Sequence, residues 1–290
     1  MKVLSFGEIL WDVYPDKQCI GGAPLNFAAH IVKQGGESYM LSALGKDALG
    51  LSALEKLSAR GVNAKYVSVL NDRPTGCCMV TLDEQSVPSY NLLTDVAYDH
   101  IPFQPISDVF DLLYFGTLAL RSDENLAVLQ RVIRENRFSE IIADVNIRAP
   151  FSSKAAVQFA IQNATIAKIS EEELPVVTEF LDFPQGMDYA AFSTELAKRY
   201  RQLKCIIITR GADGAFAMDC TTGETHVCPA VKSKVVSTVG AGDSFAAAFV
   251  YRFLQKGAIP SCLRFASQVA GYVVSQYDAV PDYPTNGFEE

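Results

Sequence analysis

Hydrophobic positions along this chain follow two rhythms. Short apolar runs (Val3-Leu4-Ser5-Phe6, Tyr39-Met40-Leu41, Leu112-Leu113-Tyr114-Phe115, Ile141-Ile142-Ala143, about 165–169 and Cys205-Ile206-Ile207-Ile208) alternate with longer amphipathic segments. The longer segments predict helices over about 25–33, 49–60, 124–135, 154–162 and 189–200. Asp47 reads as an N-cap, and Gly35-Gly36 and Gly61 read as helix stops. Strands that are apolar throughout are buried on both faces. The alternation therefore predicts an α/β fold, a mostly parallel sheet with helices on each side. From about Lys65 to Tyr98 the rhythm breaks into short strands, near 67–69, 76–82 and 89–93, with no helix. An all-β insertion of this kind suits a lid over a site built on the larger sheet; the plainer reading is an antiparallel extension of the sheet edge.

At 290 residues, with 49% hydrophobic and 20% charged, the chain is globular in composition and large enough for a substantial core. No repeat, low-complexity run or inter-domain linker interrupts it, and the Pro- and acid-rich tail after Tyr277 reads as surface wrapping. A net charge of −8 removes any general attraction to polyanions, so nucleic acid and anionic membranes are poor partners, while a local basic pocket for a small phosphate stays open. The first residues, ending in Gly7-Glu8, read as a strand and not a signal peptide. No apolar run approaches the ~20 residues needed to cross a bilayer. Seven cysteines without CxxC spacing read as reduced, buried thiols of a cytoplasmic protein, and three histidines leave little for a histidine-rich metal centre.

The most informative segment is Thr238-Val239-Gly240-Ala241-Gly242-Asp243-Ser244-Phe245, a glycine-rich turn running into an apolar helix that starts at about Asp243. Helix N-termini offer unpaired N–H groups and partial positive charge, and glycines let an anion come close. A carboxylate beside a bound phosphate is unfavourable unless it acts as a base or holds a metal, which points to phosphoryl transfer rather than a merely capped helix. The Walker loop is absent, because Gly45-Lys46 is followed by Asp47. A dinucleotide fingerprint laid on Gly240 and Gly242 puts Phe245 where a small residue belongs, which disfavours a nicotinamide-dependent oxidoreductase. A second glycine pair, Gly21-Gly22, leads into a helix carrying Asn26, a donor and acceptor suited to sugar hydroxyls. Asp12 follows the first strand, where ligands of parallel sheets bind; it reads equally as a turn residue before Pro15.

These two glycine segments resemble the paired signatures of the PfkB (ribokinase-like) carbohydrate kinases. Between them, in the family's order, stand Pro74-Thr75-Gly76, Asp144-Val145-Asn146-Ile147-Arg148 and Thr209-Arg210-Gly211-Ala212-Asp213-Gly214, and Trp11-Asp12 with the first glycine segment is most similar to fructokinases. The resemblance implies one ribokinase-like domain over 1–290, a three-layer αβα core (about 1–9, 25–64 and 99–290) with a small β-sheet lid (about 10–24 and 65–98). It implies an ATP- and Mg²⁺-dependent sugar kinase, most similar to those making fructose 6-phosphate from D-fructose. Related kinases of 2-keto-3-deoxygluconate, ribose or a nucleoside, and a non-catalytic sugar sensor, are the alternatives. In that frame Asp243 is the base, and Gly240, Ala241 and Gly242 line the anion hole. Asp12, Gly22 and Asn26 hold the sugar; Arg148 faces a phosphate or forms a surface ion pair. Thr209, Gly211 and Gly214 line the nucleotide phosphates and ribose, Ala266 and Ser267 flank the adenine, and Glu173 meets the metal through water. Lys168 either reaches a phosphate or is a solvated strand-end lysine. Ser170 replaces the family's Asn beside Glu173, and Ser237 replaces the Asp of its monovalent-cation loop, which leaves potassium dependence open. Lid strands of this family commonly pair between subunits, implying a homodimer.

Overall fold

The computed structural model describes residues 1–82, 88–284 and 287–288. Residues 83–87 of the predicted lid and 285, 286, 289 and 290 of the predicted tail lie outside it. The strands are β1 (Lys2–Phe6), β2 (Leu10–Val13), β3 (Gln18–Gly21), β4 (Glu37–Gly45), β5 (Asn63–Leu70), β6 (Gly76–Leu82), β7 (Pro88–Leu92), β8 (Leu112–Gly116), β9 (Glu140–Asp144), β10 (Ile166–Ser170), β11 (Cys205–Thr209), β12 (Ala215–Asp219) and β13 (Thr225–Cys228). The helices are α1 (Ala23–Lys33), α2 (Ala48–Ala59), α3 (Asp123–Glu135), α4 (Lys154–Asn163), α5 (Leu174–Phe180), α6 (Tyr189–Arg199), α7 (Ala241–Leu254) and α8 (Ile259–Val273).

Nine strands form the large sheet, in the order β13-β12-β11-β10-β9-β8-β1-β4-β5. All pairs from β11 to β5 are parallel; β12 and β13 close one edge antiparallel. Alternate residues of each strand enter different cores. Leu4, Phe6, Leu113, Phe115, Ala167, Ile169, Ile206 and Ile208 pack with side chains of α3 to α6. Val3, Leu112, Tyr114, Ile166, Cys205 and Ile207 pack with α1, α7 and α8. The result is a helix–sheet–helix sandwich, as the apolar runs predict. Five cysteines are buried; Cys19 is exposed and Cys220 half-buried, so the small-hydrophobe reading holds for five of seven. Among the described residues, no helix is long and apolar enough to cross a membrane.

The small sheet has the order β3-β2-β6-β7. Here the predicted boundaries need correction: β5, assigned to the lid from sequence, is the edge strand of the large sheet, paired parallel with β4. Its Tyr66 is buried against the main core, an anchor that local alternation cannot distinguish from a lid contact. Residues 23 and 24 likewise belong to α1, whose first turn accommodates Pro24. Along β2, Trp11 packs into the core containing α1 and α2 and its Nε1–H donates to Leu49 O at 3.1 Å, which ties the small sheet to the large domain. Asp12 and Leu10 occupy the opposite face.

Candidate active site

The C-terminal ends of β9, β10 and β11 and the N-termini of α1 and α7 converge on one cleft, the place where parallel sheets bind ligands. α7 begins two residues before the predicted Asp243. Its N-cap, Gly240, has φ 81, a left-handed conformation that a glycine adopts without strain. A Cβ there would also lie 2.6 Å from the carbonyl oxygen of Ala279. The first-turn amides have no partners within the helix, although that of Ala241 turns back to Thr238 O in a long bond of 3.3 Å.

Asp243 stands in this first turn. Asn26 Nδ2–H donates to its Oδ2 at 2.9 Å, joining the two predicted segments across 217 residues of chain. Burial, opposed by that hydrogen bond, raises the Asp243 carboxyl to about 6. Behind it, Lys168 on β10 points toward α7; a Cβ on Gly242 would sit 3.4 Å from its Nζ. Lys168 is only 5% exposed and donates at 2.9 Å to both carboxylate oxygens of Asp144, itself 1% exposed. Burial pulls the ammonium down, but Asp144, Glu173 and Asp243 outweigh it and hold it above the ordinary lysine value. The solvated strand-end reading of Lys168 is thereby excluded.

Past β9 the chain turns at Asn146 (φ 43), a left-handed conformation that asparagine tolerates. Glu173 fixes that turn to the end of β10, its two oxygens accepting the amides of Ile147 (2.5 Å) and Ser170 (2.7 Å). The resulting cavity, about 380 Å³, is lined by Asp144, Arg148, Lys168, Ser170, Glu173, Thr209 and Gly242 among others. Arg148 is exposed, and among the described residues it makes no ion pair, against the surface-pair alternative. Its charge lowers the carboxyls of Glu8, Asp12 and Asp243 alike, so the three acids share its field. Asp12 nevertheless lies above the usual carboxylate range because of burial. It sits on β2, not in a turn. Gly22 precedes α1 with φ 111, and a Cβ there would approach Glu8 O to 2.5 Å.

A comparison with protein families decides the affiliation: residues 10–286 match the model of the pfkB family carbohydrate kinases. The chain belongs to this family. Among curated relatives it is 26% identical to the "Probable fructokinase-5" of Arabidopsis thaliana, over 98% of this chain and 94% of that one. It is also 26% identical to the 5-dehydro-2-deoxygluconokinase of Listeria monocytogenes, over 98% of this chain and 90% of that one. Among solved structures, a Vibrio cholerae fructokinase in a form bound to fructose, ADP and calcium superposes with a TM-score of 0.81 at 21% identity, covering 97% and 95% of the two chains.

Within this PfkB-family fold, Arg148, Lys168, Ser170, Glu173, Thr209 and Gly242 of the predicted site residues line the cavity. Gly240, Ala241 and Asp243 form the start of α7 next to Gly242, with Asn26 bonded to Asp243, while Gly22 caps α1 and Asp12 lies on β2. Gly211, Gly214 and Ser267 are not among the residues lining the cavity. Gly214 (φ 91) faces the carbonyl of Cys228, where a Cβ would lie 2.0 Å away, and Ser267 Oγ lies 3.5 Å from the same residue's Sγ. Sequence reasoning passed over Asp144 and Glu8. Asp144 stands in the quoted strand-end motif, where its spacing to Arg148 was the signal. Glu8 follows the first strand as an isolated acid; it is 3% exposed, and burial lifts its carboxyl to about 7. Its Oε1 accepts the Ala23 amide at 3.2 Å, capping an α1 whose N-cap glycine has no side chain.

Proposed function

We propose that this PfkB-family sugar kinase transfers the γ-phosphoryl group of ATP to D-fructose, giving fructose 6-phosphate. The observation that carries the reading is the Asn26-held Asp243 carboxylate at the glycine-lined tip of α7, with a buried ammonium beside the same tip. In this reading Asp243 removes the proton from the attacking hydroxyl. The hydroxyl oxygen bonds to the γ-phosphorus as the bond to the bridging oxygen breaks and ADP leaves. Amides of Gly240 to Asp243 and the Lys168 ammonium stabilise the transferring group, since this chemistry depends on positioning and charge. Asp12, Gly22 and Asn26 hold the sugar, Arg148 faces its phosphate end, and Thr209, Ser170, Gly211, Gly214 and Ser267 serve the nucleotide.

Mg²⁺ would neutralise charge on the nucleotide phosphates. The donor set fits a metal carried by phosphates and water: among the described residues no three His, Cys, Asp or Glu side chains cluster, and both Glu173 oxygens already accept amides. Glu173 would hold it through water.

The equal identity to a 5-dehydro-2-deoxygluconokinase favours one second reading, a sugar acid as acceptor. Arg148, exposed and without an ion pair among the described residues, is the cation that would take the acid's carboxylate. A coupled ADP-release assay over D-fructose, 5-dehydro-2-deoxygluconate, 2-keto-3-deoxygluconate, ribose and nucleosides decides between them. D-Fructose should give the highest kcat/KM; a sugar acid ahead of it would replace the first reading with the second.

We also propose that the small sheet is a lid. It carries Asp12 on the face opposite its Trp11 anchor, so closing it would bring that carboxylate over the sugar. Hydrogen exchange in β2 and β6 should slow when sugar and a non-hydrolysable ATP analogue are added together. Unchanged exchange in both strands would reject closure.

A further inference from the structure

We propose that His30 is a positioning residue for phosphoryl transfer, holding the Ala279 carbonyl against Gly240 and so fixing the tip of α7 relative to Asp243. The inference rests on the reading above that this tip and Asp243 carry the transfer. His30 is fully buried, 0% exposed, and lies one helical turn after Asn26 on the same face of α1. Its Nε2 is 2.9 Å from Ala279 O, and its Nδ1 is 2.7 Å from the hydroxyl of Tyr283. A carbonyl can only accept, so Nε2 carries the proton and Nδ1 accepts from the Tyr283 hydroxyl. Both ring nitrogens are thus used by the neutral imidazole. Burial agrees, drawing its pKa down to about 4.

The oxygen that His30 holds is the one that meets the tip of α7. A Cβ on Gly240 would lie 2.6 Å from Ala279 O and 2.8 Å from the Ala279 Cβ. Gly240 and Ala279 are therefore packed as closely as a glycine permits, and a shift of that carbonyl displaces the turn. The Gly240 carbonyl in turn accepts the Ser244 amide at 2.8 Å, closing the first turn that presents Asp243. One face of α1 grips the tip at two points: Asn26 on the carboxylate, and His30, through Ala279, on the N-cap. The carboxylate and the N-cap of α7 are thus both referred to one helix, α1. Filling space at position 30 would need only an apolar side chain; holding the carbonyl needs a donor at the reach of Nε2.

The test compares His30→Leu, His30→Gln and Tyr283→Phe in the full chain, using whichever sugar the wild type phosphorylates. Leucine fills the volume without a donor, whereas the glutamine amide reaches about as far as Nε2. His30→Leu should lower kcat about tenfold or more, the scale of a small misplacement of reacting groups. The sugar KM should stay within about twofold, since the sugar's own contacts are untouched. His30→Gln should recover most of the lost kcat, and Tyr283→Phe, which leaves Nδ1 without its donor, should fall between. Equal kcat in the leucine and glutamine variants overturns the proposal. Should His30→Leu fail to fold, Tyr283→Phe carries the test: lowered kcat at unchanged KM supports it, and unchanged kcat overturns it. A wild type that phosphorylates no sugar defeats the functional reading instead. The calorimetric Kd of a non-hydrolysable ATP analogue then reports on the tip, and a value unchanged by His30→Leu overturns the positioning role.

Discussion

Replacing Asp243 by asparagine should lower kcat by about a thousandfold or more while leaving sugar and nucleotide binding near normal, because general-base removal costs ~10²–10⁴ and the base also orients the hydroxyl. The substitution keeps the shape of the side chain, and its Oδ1 can still accept from Asn26 Nδ2, so the join between α1 and α7 survives. What goes is the capacity to take a proton. Calorimetric titration with sugar and a non-hydrolysable nucleotide separates the two effects from steady-state turnover. Near-normal kcat would remove Asp243 from the chemistry.

The same carboxyl sets a pH dependence. The base works as carboxylate, and burial raises its pKa to about 6. Turnover should therefore fall as pH drops through that value, by about tenfold per unit once the acid form dominates. Glu8, raised to about 7 by burial and by the charge of Asp243 among other causes, titrates in the same range. The ascending limb belongs to the coupled pair and not to one residue. A kcat/KM profile flat between pH 5 and 8 would contradict the assignment.

Much of the scaffold for this chemistry is legible in the chain because it rests on local rules. Runs such as Cys205-Ile206-Ile207-Ile208, short and rich in β-branched residues, read as strands buried on both faces, and this one appears as β11 in the parallel sheet. The turn Gly240-Ala241-Gly242 is legible for a similar reason: the positive φ of Gly240 and its contact with Ala279 both exclude a side chain. Beyond such rules the reading weakens. β5 has the short, alternating look of a lid strand, and only its tertiary pairing with β4 assigns it to the large sheet. Lys168 illustrates the same limit in the site. A lysine near a strand end is usually solvated, and nothing within ten residues reveals the partner 24 positions upstream that lets it be buried. His30 reads as an ordinary helix residue until the tail folds back to meet it. The residues that chain-local reasoning places poorly are those whose partners come from another element.

Lys168→Met is the second substitution with a large expected effect, and it acts in two separable ways. It leaves the Asp144 carboxylate, 1% exposed, without its cation, and removing one member of a buried pair costs ~3–5 kcal/mol. It also takes the ammonium away from the tip of α7, which should lower kcat about a hundredfold or more, the scale of losing one preorganised charge-stabilising donor. A single variant confuses these losses, because a destabilised protein also loses activity. Adding Asp144→Asn to Lys168→Met distinguishes them. The neutral amide can still accept from the Tyr114 hydroxyl, 3.4 Å from Asp144 in the native site, and position 144 no longer carries a buried charge without its cation. The double variant should regain most of the thermal stability lost by Lys168→Met, since replacing both members of a buried ion pair by uncharged groups is often close to neutral. Its kcat should stay low, because nothing restores a positive charge beside Gly242. Thermal melts and ADP release on the same preparations read the two quantities independently. If stability and turnover return together, the Lys168–Asp144 pair serves only the fold, and the charge at the α7 tip must come from elsewhere.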